Sequence, residues 1–508
     1  MQRSILPCLL LPILLAGGCM LLLAEIQASP ATDSSPLTTA SGEPASPDGK
    51  STPATGIVYQ ASHYNSRTDS SKRTASWFGD LQALTIDASG NPRPLWSALQ
   101  QLAVLGDVTV QRNYAAPADS GRYIFTYLDL DGDGQVGEAE VNDFLPSTFS
   151  ENRYGILDVE DQASVEALVN YIRGDDSANS RWNLRNRTLD FLENGNPQVM
   201  RLGDIIHSAA VEVGAPSEAY DLLYGDLSYG IFRKQYSERR RVVYVGANDG
   251  MLHAFNAGFR DSSGRRRASD SAVQHPLGSE LWAYVPYNLL PHLKQLMSPA
   301  YAHTWYVDGS PRVFDARIFP DDATHPGGWG TIMVIGMRLG GSRIRLNDKT
   351  DARSMSEFAF NGLAAIEAQW QSAYVLMDIT DPEQKPTLLA EITDADDMGY
   401  TTSRPAIAAF ASPGKAADAT AGHWYLIFGS GPALVDAGQE IPATANDTAK
   451  LYVYDLVEKR FIQNKTRQYL YDLSGEPVSF LGDPVAVDWN LDYRADALYF
   501  GTISGDAA

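Results

Sequence analysis

Short runs of alternating hydrophobic and polar residues, separated by Gly, Asp, Asn and Pro, recur along most of the chain. Such runs predict short β-strands joined by turns. A strand is predicted over 242–246 and a return strand over 251–256, because the Asp-Gly pair between them is a strong hairpin signal. A run over 281–286, which contains Trp282, is expected to close the same unit. Further strands are predicted at 76–84, 332–337, 373–379, 423–430 and 451–456.

A strand, a Gly-Asp turn, a second strand and then a strand with Trp is the pattern of one propeller blade. The repeats are imperfect, so the pattern leaves the number of blades open. Helical periodicity is confined to islands such as 163–173, where the apolar residues fall on one face. The predicted fold class is all-β: a modified β-propeller with inserted loops and small helical islands.

The first 56 residues are predicted to lie outside this fold. Residues 1–28 have the pattern of a secretory signal peptide: Arg3, an apolar run over 5–24 and a small residue before Ser29. The alternative is an uncleaved membrane anchor, since a run of this length can span a bilayer. Lipidation at Cys19 is a minority alternative. Residues 29–56, rich in Ser, Thr and Pro, predict a linker that cannot bury enough apolar surface to fold. Residues 57–508 are predicted to form the folded domain.

The charge and the cysteine content exclude several classes of function for this chain. The chain has 62 acidic and 40 basic residues, a formal net charge of −22. This balance excludes a nucleic-acid binder, which needs Lys and Arg against phosphates, and it suits cation binding by an exported protein. Cys8 and Cys19 both lie in the predicted leader. The mature chain is therefore expected to have no disulfide, thiolate nucleophile or Cys-bound zinc.

Residues 129–140 fit the twelve-residue loop of an EF-hand. The spacing places three carboxylates, one backbone carbonyl and a closing bidentate glutamate around a cation, and Gly134 permits the sharp turn. The flank 123–128 is typical of a strand and not of an entering helix, so a structural calcium loop in a β context is expected. An acidic surface turn without an ion is the alternative. The candidate ligands are Asp129, Asp131, Asp133, Gln135 through its carbonyl, and Glu140.

Residues 488–496 form a second candidate calcium loop. Their Asp-x-Asn-x-Asp-x-x-x-Asp spacing places oxygens at the first, third, fifth and ninth positions of a similar loop. Tyr493 stands where a glycine is usual, which leaves a plain polar hairpin as the alternative. The candidate ligands are Asp488, Asn490, Asp492 and Asp496.

A series of segments occurs in the order found in a known family, and it covers about residues 57–508. The segments are Trp-Phe-Gly-Asp-Leu (77–81), Asn-Tyr-Ile-Arg-Gly-Asp (170–175), Leu-Gly-Asp-Ile-Ile-His-Ser (202–208), Val-Tyr-Val-Gly-Ala-Asn-Asp-Gly-Met-Leu-His-Ala-Phe (243–255), 374–382, 399–405 and 488–501. Through these segments the chain resembles the C-terminal propeller domain of the PilC/PilY proteins, the tip-associated adhesins of type IV pili.

The resemblance implies an exported calcium protein at the pilus tip, the cell surface or the outer membrane. It implies roles in pilus assembly, control of retraction, twitching motility and adhesion, with a calcium loop at 488–496 that gates them. The implied partners are minor pilins or the assembly machinery, and a host or abiotic surface. Three departures stand out: the large N-terminal region of many members is missing, the 129–140 loop is unusually rich in carboxylates, and the chain stops at 505–508 where relatives continue. A fragment, or a sheet completed by a partner strand, is therefore an expectation.

Three alternatives remain open at this stage. Arg173-Gly174-Asp175 is an integrin-binding tripeptide in other proteins, but its position at a predicted helix end favours a framework role. His207 and His253 are expected to be packed or hydrogen-bonded, and Trp282 to lie in the core.

The main competing function is a quinoprotein dehydrogenase that binds pyrroloquinoline quinone, which the 245–255 segment also resembles. We predict a non-enzyme, because no evenly spaced Trp motif and no base-plus-cofactor set is present. A free secreted calcium-dependent adhesin is the third alternative.

Overall fold

The computed structural model describes residues 57–87, 89–261, 266–267, 271–345, 369–393, 398–410, 423–441, 449–462, 471–472 and 480–502. The predicted signal peptide and linker lie outside these residues, so both stay predictions. In the described part of the chain, no helix combines the length and the apolar character that crossing a bilayer requires.

The first sheet has three antiparallel strands, Ile57–Tyr64, Phe78–Ile86 and Pro92–Ser97, with Phe78–Ile86 in the middle. The run predicted over 76–84 corresponds to this central strand. The short helix Ala98–Ala103 follows directly, because the Ser97 side chain accepts a hydrogen bond from the Gln100 N–H and caps its first turn.

The second sheet contains the predicted hairpin and its closing strand. Arg241–Gly246 pairs antiparallel with Leu252–Arg260, which pairs antiparallel with Glu280–Val285. Gly250 supplies the left-handed residue of the turn, with φ of 92°. The sheet order is Val211–Val213, Arg241–Gly246, Leu252–Arg260, Glu280–Val285, Ile124–Tyr127 and Val141–Asp143, and Arg266–Arg267 pairs with Leu252–Arg260.

The third and fourth sheets repeat a four-stranded antiparallel arrangement. The strands of the third sheet are, in order, Arg312–Arg317, Trp329–Gly336, Tyr374–Asp378 and Thr387–Ile392. Those of the fourth are Ala406–Phe410, His423–Gly429, Lys450–Asp455 and Arg460–Phe461, with Tyr471–Asp472 also paired to Lys450–Asp455. The predicted runs at 332–337, 373–379, 423–430 and 451–456 all lie on these strands.

The sheets stack face to face in chain order. Alternate residues of a strand point to opposite faces, and in Trp329–Gly336 they enter two different cores: Ile332 and Val334 one, Met333 and Ile335 the other. Strands 241–246 and 423–429 divide their residues between two cores in the same way. Because both faces are covered, these strands are apolar at nearly every position.

Glycines let consecutive sheets approach at one end of their second strands. A Cβ atom on Gly246 would lie 2.2 Å from the Val307 carbonyl oxygen, and one on Gly429 would lie 2.1 Å from the Leu481 Cβ. In the third sheet the Gly336 carbonyl accepts a hydrogen bond of 3.1 Å from the Gly309 N–H. A side chain at these positions would push the segment that leads into the next sheet away.

Helical segments lie between the strands. The predicted island over 163–173 is the helix Gln162–Arg173, capped by Asp161 at its start and by the left-handed Gly174 at its end. The sequence did not predict two helices, Tyr220–Leu223 and Leu227–Gln235, which lie between the first two strands of the second sheet. Residues 220–235 are called the helical insertion below. The other helices are Asn179–Trp182 and the 3₁₀ segments Glu138–Glu140, Pro146–Phe149, Glu151–Leu157, Tyr287–Met297 and Pro326–Gly328. The remaining two-stranded sheets in the described part of the chain are Arg67–Thr68 with Thr74–Ala75, Thr188–Leu189 with Gln198–Val199, Ile344–Arg345 with Gln369–Trp370, and Val485–Val487 with Ala497–Tyr499.

A buried charge network ties the second sheet together. The guanidinium of Arg122 makes two hydrogen bonds of 2.8 Å to the Glu280 carboxylate, and both side chains are almost fully buried. The His253 ring bridges Glu280, at 2.8 Å, and Asp249, at 3.2 Å. Burial alone would lower the pKa of His253, but the Asp249 and Glu280 carboxylates outweigh it and raise this pKa to about 9. Burial alone would raise the pKa of Glu280, but Arg122 and His253 hold it well below its usual range.

Candidate metal centre

The first candidate loop joins two strands of the second sheet. Ile124–Tyr127 leads into it and Val141–Asp143 leads out, and these strands pair antiparallel with Tyr127 opposite Val141. The 3₁₀ turn Glu138–Glu140 closes the loop. The expected β context of this loop is therefore confirmed.

Local hydrogen bonds turn the loop carboxylates toward one another. Asp129 accepts from the Gly132 N–H at 2.9 Å, Asp131 from the Asp133 N–H at 3.2 Å, and Asp133 from the Gln135 N–H at 2.7 Å. One carboxylate oxygen from each of the three aspartates lies within 4.8 Å of the others. Among the residues that the structure describes, this is the only such group of three or more His, Cys, Asp or Glu side chains. Its chemistry is the hard oxygen donor set that calcium prefers.

The other two candidate ligands are Gln135, in the middle of the loop, and Glu140, at its end. The Glu140 carboxylate does not belong to the group of three converging carboxylates. Glu140 is buried, and its two carboxylate oxygens accept the N–H groups of Leu130, at 2.8 Å, and Gly137, at 2.9 Å. The Gln135 carbonyl accepts a hydrogen bond of 3.0 Å from the Tyr127 hydroxyl. Each of these oxygens keeps a second lone pair that a cation can use.

Electrostatics also favours a cation in this loop. Asp129 is about half buried, and this burial is the main cause that raises its pKa. The neighbouring carboxylates of Glu140 and Asp131 raise the pKa of Asp129 further. A divalent cation among these oxygens would offset both effects, because it replaces mutual repulsion by attraction.

The second candidate loop makes the same type of local turn between Val485–Val487 and Ala497–Tyr499. The hydrogen bonds run from the Leu491 N–H to Asp488 at 2.8 Å, from the Asp492 N–H to Asn490 at 2.9 Å, from the Arg494 N–H to Asp492 at 2.9 Å and from the Trp489 N–H to Asp496 at 2.8 Å. Its three aspartates are not part of the group of converging carboxylates found in the first loop.

The backbones of the two loops follow one path. The fourth and sixth positions have positive φ in both: 77° and 70° at Gly132 and Gly134, and 57° and 72° at Leu491 and Tyr493. The missing glycine therefore does not prevent the turn. A non-glycine residue in this conformation costs about 1–2 kcal/mol, which the surrounding contacts must offset.

Tyr493 makes those contacts with the helical insertion. Its ring stacks on Tyr224 with 3.8 Å between ring centres, and its hydroxyl donates a hydrogen bond of 3.1 Å to Asp226. Sequence reasoning treated Tyr493 only as a departure from the loop pattern and missed this anchor. The one signal that could have found it is a bulky residue standing at a position that needs a left-handed backbone.

The remaining singled-out residues have structural roles. Arg173 is fully buried, and its guanidinium donates to the carbonyl oxygens of Val108, at 2.7 Å, and Phe144, at 2.9 Å. The Arg173-Gly174-Asp175 tripeptide thus cannot present its arginine to a receptor from this fold. Trp282 and His253 are buried as expected. His207 is hydrogen-bonded to Asp308 as expected, but 37% of its side chain is exposed.

Four-stranded antiparallel sheets that stack one on another, as the third and fourth sheets do, are the blade arrangement of a β-propeller protein. The chain belongs to the family described as the PilY1 beta-propeller domain, whose model matches residues 202–507. The expected fold class and family are therefore confirmed.

Two relatives agree with this family. The chain is 27% identical over 445 residues to the type IV pilus biogenesis factor PilY1 of Pseudomonas aeruginosa strain PAK, covering 85% of this chain and 29% of that protein. It is 30% identical over 281 residues to a PilY1 homologue of Xylella fastidiosa, covering 52% of this chain and 16% of the relative. The crystal structure of the Pseudomonas aeruginosa PilY1 C-terminal domain aligns with a TM-score of 0.34 at 25% identity, over 58% of this chain and 44% of that one. The chain thus spans less than a third of the length of the Pseudomonas aeruginosa and Xylella fastidiosa relatives.

Proposed function

We propose that this chain is a calcium-binding, non-enzymatic type IV pilus protein that supports pilus assembly, controls retraction and contributes to surface adhesion. Family membership and the names of its relatives support the pilus part and a location at the pilus or cell surface. The observation that carries the calcium part is the convergence of Asp129, Asp131 and Asp133. The proposed cation would neutralise the carboxylates of each loop when bound.

In this proposal the two loops become ordered when the cation is bound, and residues next to each loop are stabilised as a result. The first loop connects the paired strands Ile124–Tyr127 and Val141–Asp143 and sets how their ends meet. The second loop presents Tyr493 to the helical insertion, where it contacts Tyr224 and Asp226. Ordering of either loop therefore stabilises a contact that lies beyond the loop itself.

Removal of calcium is expected to lower the melting temperature of the full chain. With calcium at about a hundred times Kd, its loss corresponds to about 2.7 kcal/mol of stability. Thermal unfolding with calcium and with a chelator measures the shift, and calorimetric titration counts the sites. Asp133→Ala is expected to remove the first site and Asp492→Ala the second.

Asp107→Ala is the matched control for these variants, because Asp107 makes a similar turn with the Thr109 N–H at 2.9 Å outside both loops. Its calcium response is expected to equal that of the unchanged chain. An unchanged calcium shift in the Asp133→Ala, Asp492→Ala double variant would refute calcium binding by these loops and would leave the pilus role intact.

We further propose that the partner is a minor pilin that docks on the helical insertion. The helix Leu227–Gln235 buries Tyr229 and Phe232 but presents Leu227, 84% exposed, and Ile231, 62% exposed, to solvent. Leu222 and Leu223 of the preceding helix and Trp489 and Leu491 of the second loop are also more than half exposed. The Tyr224–Tyr493 stack places the second loop against the helical insertion. Apolar exposure of this kind marks protein interaction sites.

Replacing Leu227 and Ile231 by serine is expected to reduce the number of surface pili several-fold without lowering the melting temperature. Both side chains are mainly exposed, so the fold loses little, whereas the partner loses its apolar contact. Pili are counted on cells that lack this chain and are complemented with each variant, and binding of purified minor-pilin domains is measured in parallel. Val104→Ser, at a residue 70% exposed elsewhere, is the control. Normal piliation and normal pilin binding by the Leu227, Ile231 variant would contradict this docking site.

A further inference from the structure

Four rings from distant parts of the sequence form a continuous row, called the ring row below. Trp77 lies 4.1 Å from His303 between ring centres, His303 lies 4.6 Å from Trp305, and Trp305 lies 5.0 Å from His207. None of the four belongs to the two loops or to the helical insertion. Both tryptophans keep part of their surface in solvent, and His207 is 37% exposed in its side chain.

Two buried carboxylates hold the imidazoles of the ring row. Asp204 accepts from Nε2 of His303 at 2.8 Å, and Asp308 pairs with Nδ1 of His207 at 2.7 Å. Asp204 and Asp308 are each only 1% exposed. The guanidinium of Arg338 lies at 3.3 Å from Asp308 and at 3.2 Å from His207. Each imidazole therefore has one nitrogen engaged by a carboxylate, which fixes the ring and leaves the other nitrogen for a different partner.

The backbone is strained at both ends of the ring row. Trp77 has φ of 54° and Arg338 has φ of 56°, a left-handed conformation that bulky residues rarely adopt. Such conformations are energetically unfavourable, and they cluster at ligand-binding sites because the strained side chain is needed where it stands. A glycine would remove this cost at either position, but it would also remove the Trp77 ring or the Arg338 guanidinium.

One oxygen atom of the Asp204 carboxylate, which holds His303, lacks a hydrogen-bond donor within the described ranges. The Oδ1 atom of Asp204 is buried and has no hydrogen-bond donor among the described residues, whereas its Oδ2 atom accepts from His303 and Asn248. A buried carboxylate oxygen without a donor is costly. A polar donor close to Asp204 would therefore be stabilised.

We propose that the ring row, with Arg338, is a binding site for a neutral saccharide. Aromatic faces pack against the C–H face of a sugar ring, and the guanidinium and the free imidazole nitrogens offer donors and acceptors to its hydroxyls. Asp204 and Asp308 offset the positive charge of Arg338, which disfavours an anionic ligand. This site goes beyond the proposed calcium and pilus functions and uses none of their residues.

Saturation-transfer NMR on the full chain tests this site with methyl glycosides of glucose, galactose, mannose and N-acetylglucosamine as probes. At least one glycoside is expected to receive saturation at its ring protons, and the signal is expected to persist with a chelator present. Arg338→Gly keeps the left-handed backbone without strain and removes the guanidinium. It is expected to weaken binding about tenfold, as for the loss of one charged hydrogen bond, and His207 remains as a partner of the buried Asp308 carboxylate.

Trp305→Ala is expected to abolish the saturation signal, whereas Trp489→Ala, at an exposed tryptophan outside the ring row, is expected to leave it unchanged. Lack of transfer to all four glycosides would overturn the proposal. A signal that survives in both Arg338→Gly and Trp305→Ala, or binding of glucuronate in preference to every neutral glycoside, would overturn it too. Because the signal is expected without calcium, its failure is distinct from a failure of the calcium loops.

Discussion

Arg122→Met is expected to lower the free energy of unfolding by about 3–5 kcal/mol, since removing one partner of a buried ion pair leaves the other charge uncompensated. Glu280 is almost fully buried, and Arg122 supplies two of its hydrogen bonds. The guanidinium also donates to the Arg173 carbonyl at 2.8 Å, at the end of the helix Gln162–Arg173. Chemical denaturation of the purified chain measures the change.

Two further variants separate the buried charge from a general effect of losing an arginine. Arg93→Met removes a surface pair with Asp87, in which the arginine side chain is 69% exposed, and is expected to cost less than about 1 kcal/mol. The double variant Arg122→Met, Glu280→Leu is expected to regain part of the lost stability, because no unpaired carboxylate remains. If Arg122→Met and Arg93→Met cost the same, the Arg122–Glu280 pair does not stabilise the fold as described.

The stability of the chain is expected to fall as pH rises from 6.5 to about 9 because of His253. Its pKa is raised from 6.5 to about 9 in the folded chain, so the folded state binds a proton that the unfolded state releases. This contribution is fully present below pH 6.5 and is lost as pH passes through about 9. It amounts to about 3 kcal/mol by proton linkage.

Denaturation at a series of pH values tests this expectation. His253→Gln should be less stable than the unchanged chain near pH 6 and should lose less stability between pH 6.5 and 9, since glutamine carries no titrating proton. His63→Gln, at an exposed histidine, is the control and should keep the full pH dependence. Parallel pH profiles for His253→Gln and the unchanged chain would show that His253 is not the titrating group.

Strands that are covered on both faces were predictable, because almost all of their residues enter one of two cores. Runs such as 242–246 and 332–337 are short, apolar and bounded by Gly or Asp, and they correspond to the strands Arg241–Gly246 and Trp329–Gly336. The helical insertion was missed for a physical reason. Its aliphatic residues, such as Leu227 and Ile231, are exposed, and its buried residues are Tyr229 and Phe232. The apolar residues thus surround the helix and give no one-sided period.

The acidic residues of the two candidate loops were predictable from the sequence, but the contact that supports the turn of the second loop was not. Their acidic spacing is a local pattern, and the first loop does bring Asp129, Asp131 and Asp133 together. The second loop makes its turn with Tyr493 in place of glycine, and the reason lies in Tyr224, hundreds of residues away along the chain. No spacing rule contains such a contact.

By itself, the sequence determined what depends on neighbours along the chain: the strands, the Asp-Gly hairpin, the two acidic loops and the ordered segments typical of the family. Only the tertiary structure decided what depends on distant segments. It buried Arg173, anchored Tyr493 on the helical insertion and assembled Trp77, His207, His303 and Trp305 into one row. The physical reason is that burial and side-chain contacts between stacked sheets are set by packing, which local hydrophobic patterns do not encode.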